Sequence, residues 1–288
     1  MRSMLFVPGD SEKKLRKGLE SGADALIIDL EDSVAANRKG EARQVTRAFL
    51  DSRRGGPKLF VRINPLSTPY ALEDLAAVAG GAPQGIVLPK CAGSSELVTV
   101  NHYLSALEVR EKLPPASIQI LPIVTETAGA IFTLGSYVEA QARLCGMMWG
   151  CEDLAADVGA SDNRSSDKRY LPPFDLARSL CLFAAAAAGV PAIDTVFTDF
   201  KDVEELERES RAAERVGFTT KAAIHPAQVP IINRAFTPNE VAVEWARKVV
   251  AAFDASPDVG VVGVEGKMLD RPHLRAARRV LARAEPTP

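Results

Sequence analysis

The stretch ALIIDLED, residues 25–32, is apolar at four successive positions and then turns acidic. A strand with one solvated face alternates apolar and polar residues, so an unbroken run argues for a strand covered on both faces, as in a parallel sheet. Working outward from it, similar runs stand at 4–7, 25–29, 59–63, 85–88, 118–124, 144–149, 192–195 and 221–224. Amphipathic stretches at 11–20, 39–52, 70–79, 94–112, 128–141, 172–188 and 202–216 fill the gaps. Several open on helix-start signals, among them Ser11 and Asp202 with Glu204 and Glu205 behind it. Eight strand–helix units in about 225 residues predict a closed (β/α)8 TIM barrel, a fold of roughly 250 residues. A doubly wound open sheet is the competing architecture, but no GxGxxG turn follows the first strand, where VPGDSEKK stands.

The barrel is expected over residues 1–236. Beyond it, residues 237–288 predict a C-terminal extension: a helix opening at Thr237-Pro238, an irregular Gly- and Val-rich piece over 256–270, and a basic helix over 271–283. A solvent-facing end piece has no need of GVVGV (260–264), so this tail is expected to pack as a lid on a neighbouring subunit.

Composition narrows the function. The 288 residues carry 35 basic and 37 acidic side chains, a formal charge of −2, with 47% hydrophobic and 25% charged residues. That excludes wholesale disorder and a general polyanion-binding surface, so no nucleic-acid partner is expected. The four cysteines form no CxxC pair and are expected to be reduced. No apolar run reaches ~18 residues, so no membrane partner is expected. The start MRSMLFVPGDSEKK lacks a long apolar segment, and the expectation is a cytoplasmic protein.

Reactive groups in a barrel come from the carboxyl ends of strands. There the runs deliver Asp29, Glu31 and Asp32, then Arg62 and Asn64, Lys90, Glu126, and finally Glu152, Asp153 and Asp157. For Asp10, Asp32 and Asp157 a cap or a solvated loop is the better reading. Glu126 and Asp153 each end a strand too apolar for a surface strand and precede small residues. Two carboxylates from adjacent strands are hard oxygen ligands suited to Mg²⁺. Zinc is disfavoured, because His102, His225 and His273 have no ligand spacing. Arg62 can hold a carboxylate or developing enolate bidentately. Its alternative role is a salt bridge to Asp29 or Glu31 that holds the rim together. Lys90 reads as a rim ion pair.

The segments RSMLFVPGDSEKKLRKGLESGADALIIDLEDSV, VRINPLSTPY, GIVLPK, VTETAGA, WGCEDLAADVGA, KAAIHPAQV and GKMLDRPHLRAARRVL together closely resemble the citrate lyase β-subunit-like family. That family includes malyl-CoA and citramalyl-CoA lyases and belongs to the Mg²⁺-dependent phosphoenolpyruvate/pyruvate barrel superfamily. The resemblance runs from Arg2 to about Ala284. It implies that Glu126 and Asp153 ligate Mg²⁺, with Mn²⁺ as a substitute, and that Arg62 binds substrate oxygens beside them. It further implies that Asp29 and Glu31 stand behind metal-bound water, and that Asp270 is delivered from an adjacent subunit for proton transfer. The competing role for Asp270 is capping the last helix, with Pro272 in its first turn. Arg2, Lys13 and Arg16, with Lys14 and Lys17, are the basic residues that would meet coenzyme A phosphates.

The expected activity is cleavage or formation of a carboxylated 3-hydroxyacyl-CoA, giving a 2-oxo acid and an acyl-CoA. The expected assembly is a homotrimer or hexamer. Competing readings are a class II aldolase acting on free hydroxy-oxo acids, a β subunit acting on a carrier-bound citryl thioester, a thioesterase, and a non-catalytic CoA-ester-binding protein. Leu66, Met148 and Leu171 are the candidates for shaping substrate choice.

Overall fold

The computed structural model describes residues 1–52, 55–139 and 142–284. The chain divides into two compact units, Met1–Asn233 and Arg234–Pro288.

In the first unit the strands are β1 (Ser3–Pro8), β2 (Ala25–Asp29), β3 (Lys58–Arg62), β4 (Gly85–Leu88), β5 (Gln119–Pro122), β6 (Met147–Met148), β7 (Ala192–Asp194) and β8 (Thr220–Ala223). They form one sheet in the order β5-β4-β3-β2-β1-β8-β7-β6, and every pairing is parallel. Parallel bridges Ile120–Leu144 and Ile123–Met148 join β5 to β6 and close the ring. The helices are α1 (Glu12–Leu19), α2 (Lys39–Ser52), α3 (Tyr70–Val78), α4 (Ser94–Glu111), α5 (Ala128–Ile131), α6 (Glu152–Asp157), α7 (Pro172–Ala187), α8 (Val203–Val216) and α9 (Val229–Phe236), the last crossing into the second unit.

Side-chain parity sorts the strands' residues. Met4, Ala25, Ile27, Phe60, Val87, Leu121, Ile193 and Ala222 pack together as the core inside the barrel. Residues two further along a strand keep the same face, so Asp29 follows Ala25 and Ile27 inward, and Arg62 follows Phe60. The residues between them along the strands, such as Leu26, Ile28 and Val61, are equally buried but face the helices.

Two expectations need correction here. The helix expected over 128–141 is only the short α5 followed by a 3-10 turn at Leu134–Val138, with residues 140 and 141 outside the described set. Gly129 and Gly135 weaken helix, and Ile131 and Thr133 are β-branched, so little favours its propagation. The acidic run after β6, where no helix was expected, forms α6.

The second unit holds α10 (Glu240–Asp254), an antiparallel hairpin of β9 (Val261–Val264) and β10 (Lys267–Asp270), and α11 (Arg271–Ala284). The piece expected to be irregular is therefore a hairpin, turning at Glu265-Gly266 with both residues at positive φ. Val264 and Leu269 are buried with Ala246, Val249, Phe253, Leu274 and Ala277, so part of the GVVGV run serves its own unit. Among the described residues, no helix is long and apolar enough to cross a membrane.

Candidate active site at the carboxyl ends of the strands

Strand register builds the site. Asp29 and Arg62 are Cα partners across β2 and β3, both facing inward at the carboxyl end. The Arg62 fork accordingly donates from Nε to Asp29 Oδ1 and from Nη2 to Oδ2, both at 2.8 Å. Its Nη1 lies 2.8 Å from Glu31 Oε2, and its guanidinium stacks 4.9 Å above the Phe6 ring. The sequence offered Arg62 a substrate role or a rim salt bridge, and the salt bridge is present.

The turn after β2 is held from several sides. The Glu31 and Ser33 amides donate to the two Asp29 oxygens, at 2.9 and 3.1 Å. The buried Lys39 ammonium donates to the carbonyls of Leu30 and Glu31, each at 2.7 Å. Lys39 went unnoticed in the sequence, where it reads as an ordinary first-turn helix residue. Burial raises the Asp29 carboxyl, but the Arg62 charge and hydrogen bonds outweigh it and hold the group below its ordinary range. Glu31 shifts the other way, because its burial outweighs the pull of Arg62 and Lys90.

Glu126 ends the β5 segment, 4% exposed. A Cβ on residue 150 would stand 2.5 Å from Glu126 Cγ, so only glycine fits beneath this carboxylate. Glu126 Oε2 accepts the Lys90 backbone N–H at 2.5 Å. Burial pushes its carboxyl up to about 8, and repulsion from Asp153 and Glu31 adds to the rise. Asp153 stands in the first turn of α6, its side chain one-third exposed, 3.0 Å from Lys90 Nζ. The same ammonium donates to Glu31 Oε1 at 2.6 Å.

Asp29, Arg62, Glu126 and Asp153 all line one cavity of about 390 Å³, together with Phe6, Met148 and Trp149. Leu66 and Leu171 are not among its lining residues, so of the three side chains expected to shape the mouth only Met148 does so. Ionised together, Asp29, Glu31, Glu126 and Asp153 would carry four negative charges against two positive ones on Arg62 and Lys90, with the more exposed Asp32 adding a fifth. A divalent cation would offset most of that surplus, and the oxygen-only donor set suits Mg²⁺. Among the described residues no group of three or more His, Cys, Asp or Glu side chains is arranged to hold a metal ion.

The basic residues expected at coenzyme A separate. Arg2 precedes β1, at the barrel end opposite the cavity, and clasps Asp24 with Nε at 3.1 Å and Nη2 at 2.8 Å. That corrects the expectation for Arg2, since strand polarity puts it far from the mouth. Lys13 and Arg16 lie on α1, which starts at the mouth end; both are exposed, and Arg16 pairs with Glu12 at 2.6 Å. Asp270, in the second unit, is half exposed and bonded to His273 Nδ1 at 2.6 Å. That hydrogen bond and the His273 charge hold its carboxyl below the ordinary range. The Asp270 side chain is thus engaged by a histidine ring in the first turn of α11.

A parallel eight-stranded barrel with acids and an arginine gathered at its mouth defines an enzyme for small anionic substrates. A family model described as HpcH/HpaI aldolase/citrate lyase matches residues 2–226, and one described as carbon–carbon bond lyase of the TIM-barrel fold matches 176–286. The chain is 34% identical over 292 residues to a (3S)-malyl-CoA thioesterase of Cereibacter sphaeroides, covering 99% of this chain and 94% of that protein. It is 33% identical over 297 residues to the mitochondrial citramalyl-CoA lyase of Mus musculus, covering 98% and 86%. The solved structure of CitE from Mycobacterium tuberculosis in complex with magnesium, acetoacetate and coenzyme A matches with a TM-score of 0.80 at 35% identity, over 98% of this chain and 97% of that one. The chain belongs to the HpcH/HpaI aldolase/citrate lyase family of carbon–carbon bond lyases.

Proposed function

We propose that the chain is a Mg²⁺-dependent lyase that cleaves, or in reverse forms, the carbon–carbon bond of a carboxylated 3-hydroxyacyl-CoA, giving a 2-oxo acid and an acyl-CoA. The observation that carries this reading is the convergence of Glu126 and Asp153 with Arg62 on one cavity. The malyl-CoA and citramalyl-CoA specificities of the two relatives, and the magnesium and coenzyme A of the CitE complex, support the substrate class.

Glu126 and Asp153 would hold Mg²⁺, or Mn²⁺ in its place. The bound ion supplies Lewis-acid polarisation of the substrate's carboxylate and hydroxyl oxygens. Arg62 donates one N–H of Nη2 to Asp29 and ion-pairs through Nη1 with Glu31, and its remaining terminal N–H groups would be offered to the substrate's anionic oxygen. Asp29 and Glu31 fix the plane of that guanidinium, which fixes where the substrate carboxylate lies. In the cleavage direction the 3-hydroxyl passes its proton to a solvent water in the open cavity and becomes the oxo group of the 2-oxo acid, while the bond to the α-carbon breaks and its electron pair passes into the thioester as an enolate. Asp270 of a neighbouring copy, protonated, returns a proton to that carbon. This step requires Asp270 to leave the His273 contact that keeps it ionised in the isolated chain. Lys13 and Arg16, at the mouth end of α1, would meet coenzyme A phosphates. The assembly would be a homotrimer or hexamer in the cytoplasm.

Malyl-, methylmalyl-, citramalyl- and citryl-CoA offered with Mg²⁺, then with a chelator, test the reading. Release of a 2-oxo acid that stops on chelation is expected, and a Glu126→Ala variant as fast as the parent would overturn it. The likeness to a malyl-CoA thioesterase favours hydrolysis as the second reading. Free thiol released without an oxo acid would select it.

A further inference from the structure

Lys90 follows Pro89 at the carboxyl end of β4 with φ at +50°, the left-handed region. A non-glycine residue held there costs free energy, and such strain gathers at functional sites. What the strained backbone achieves is visible in its contacts. The Lys90 N–H reaches Glu126 at 2.5 Å, while its ammonium reaches Glu31 at 2.6 Å, Asp153 at 3.0 Å and Asp32 at 3.7 Å. One residue therefore touches both carboxylates assigned to the metal, one through the main chain and one through the side chain.

The two main ion pairs of Lys90 are unequal. Glu31 is buried and fixed by Arg62 as well. Asp153 is one-third exposed on the six-residue helix α6, and among the described residues Lys90 is the one cation within ion-pair distance of it. The Glu31 contact is thus built in, and the Asp153 contact is exchangeable.

We propose that Lys90 is a positioning residue whose ammonium holds Asp153 in place until a divalent cation takes that carboxylate over, with Glu31 retaining the lysine afterwards. The inference rests on the assignment of Glu126 and Asp153 as metal ligands. The ammonium and the ion compete for the same oxygens, and like charges side by side repel. Lys90 thereby weakens metal binding in the free enzyme while keeping Asp153 aimed at the cavity.

The test is direct Mn²⁺ binding, followed by paramagnetic resonance of the free ion, on the full chain. Lys90→Met, which keeps the backbone cost and removes the charge, is expected to bind Mn²⁺ about tenfold more tightly than the parent, and Lys90→Arg to stay within about threefold. Equal or weaker binding by a folded Lys90→Met variant overturns the proposal. A Glu126→Gln variant that binds Mn²⁺ like the parent instead overturns the metal assignment, and this proposal with it. If Lys90→Met does not fold, structures of the parent with and without Mg²⁺ decide. The Lys90–Asp153 separation should open beyond about 4 Å, the limit of an ion pair, with the Glu31 contact kept. An unchanged pair beside a bound ion overturns the proposal.

Discussion

The barrel carries two buried charge clusters, each built on an acid and a base that are partners across adjacent strands. Asp29 and Arg62 are in register on β2 and β3, Asp194 and Lys221 on β7 and β8. They differ by one step of side-chain parity. Asp29 and Arg62 face into the mouth, whereas Asp194 and Lys221 neighbour the inward Ile193 and Ala222 and so face the helices. The outward cluster is paired in charge, although among the described residues Arg178 Nη2 and Glu209 Oε2 lack hydrogen-bond partners. Lys221 reaches Asp194 at 2.7 Å and Glu209 at 2.8 Å, Arg178 reaches Asp194 at 3.1 Å, Arg164 reaches Glu209 at 2.6 Å, and Trp149 Nε1 donates to Asp194 at 2.7 Å. Three bases there meet two acids. At the mouth five acids, Asp32 included, meet two bases. One acid from each cluster shows the contrast: burial raises both, yet Lys221 and Arg178 hold Asp194 down at about 2, while Glu126 stands at about 8. Buried charge that is satisfied within the chain supports the fold, and buried charge left in surplus at an open cavity is there for something else to neutralise.

Glu126→Gln tests that contrast most severely. Turnover should fall by at least about a thousandfold, because a ligand that stabilises transition-state charge is lost, while the metal-free urea midpoint at alkaline pH holds or rises. A midpoint that drops sharply would mean that the mouth cluster is structural after all. Lys221→Met should do the opposite. Stripping the base from two buried acids costs about 3–5 kcal/mol in urea unfolding, and a cost below about 1 kcal/mol would erase the distinction between the clusters.

Asp270→Asn should lower turnover by about a hundredfold, as expected for a lost general acid, with Mn²⁺ affinity unchanged. A parallel loss of metal binding would move Asp270 out of proton transfer. The gentlest probe is pH. The Asp194 value lies below its ordinary 3.8, so its contribution is present above that value and is lost as the solution is acidified through about 2. The Glu126 value lies above its ordinary 4.5, so its protonated form favours the folded chain below that value and the benefit fades as pH rises through about 8. The metal-free protein should therefore gain stability between about pH 9 and about pH 5 and lose it under strong acid. Glu126→Gln should flatten the first slope and Lys221→Met the second.

Most of this arrangement was legible in the sequence because parallel strands announce themselves as apolar runs and the residue ending each run faces the mouth or its back. Arg62, Glu126 and Asp153 could be picked out on that ground alone. Lys90 was legible only as a rim ion pair, because a left-handed backbone leaves no mark in a sequence and its contacts come from three other strand ends. Asp194 and Lys221 were read as strand residues only, since telling inward from outward needs the core partner of each neighbour. Helix α6, at six residues, is too short for a periodic signal, and the β9–β10 hairpin was hidden by its glycines. Arg2 misled because basic residues close in sequence to a strand belong to either end of it.

The join between β5 and β6 is the thinnest in the ring, with β6 only two residues long and two isolated bridges in place of a full ladder. Glu126 and Asp153 follow the two sides of that seam. An ion gripped by both would act as a clasp across the one place where the cylinder is least laced. Occupancy would then be felt in how readily the barrel breathes as well as in its chemistry.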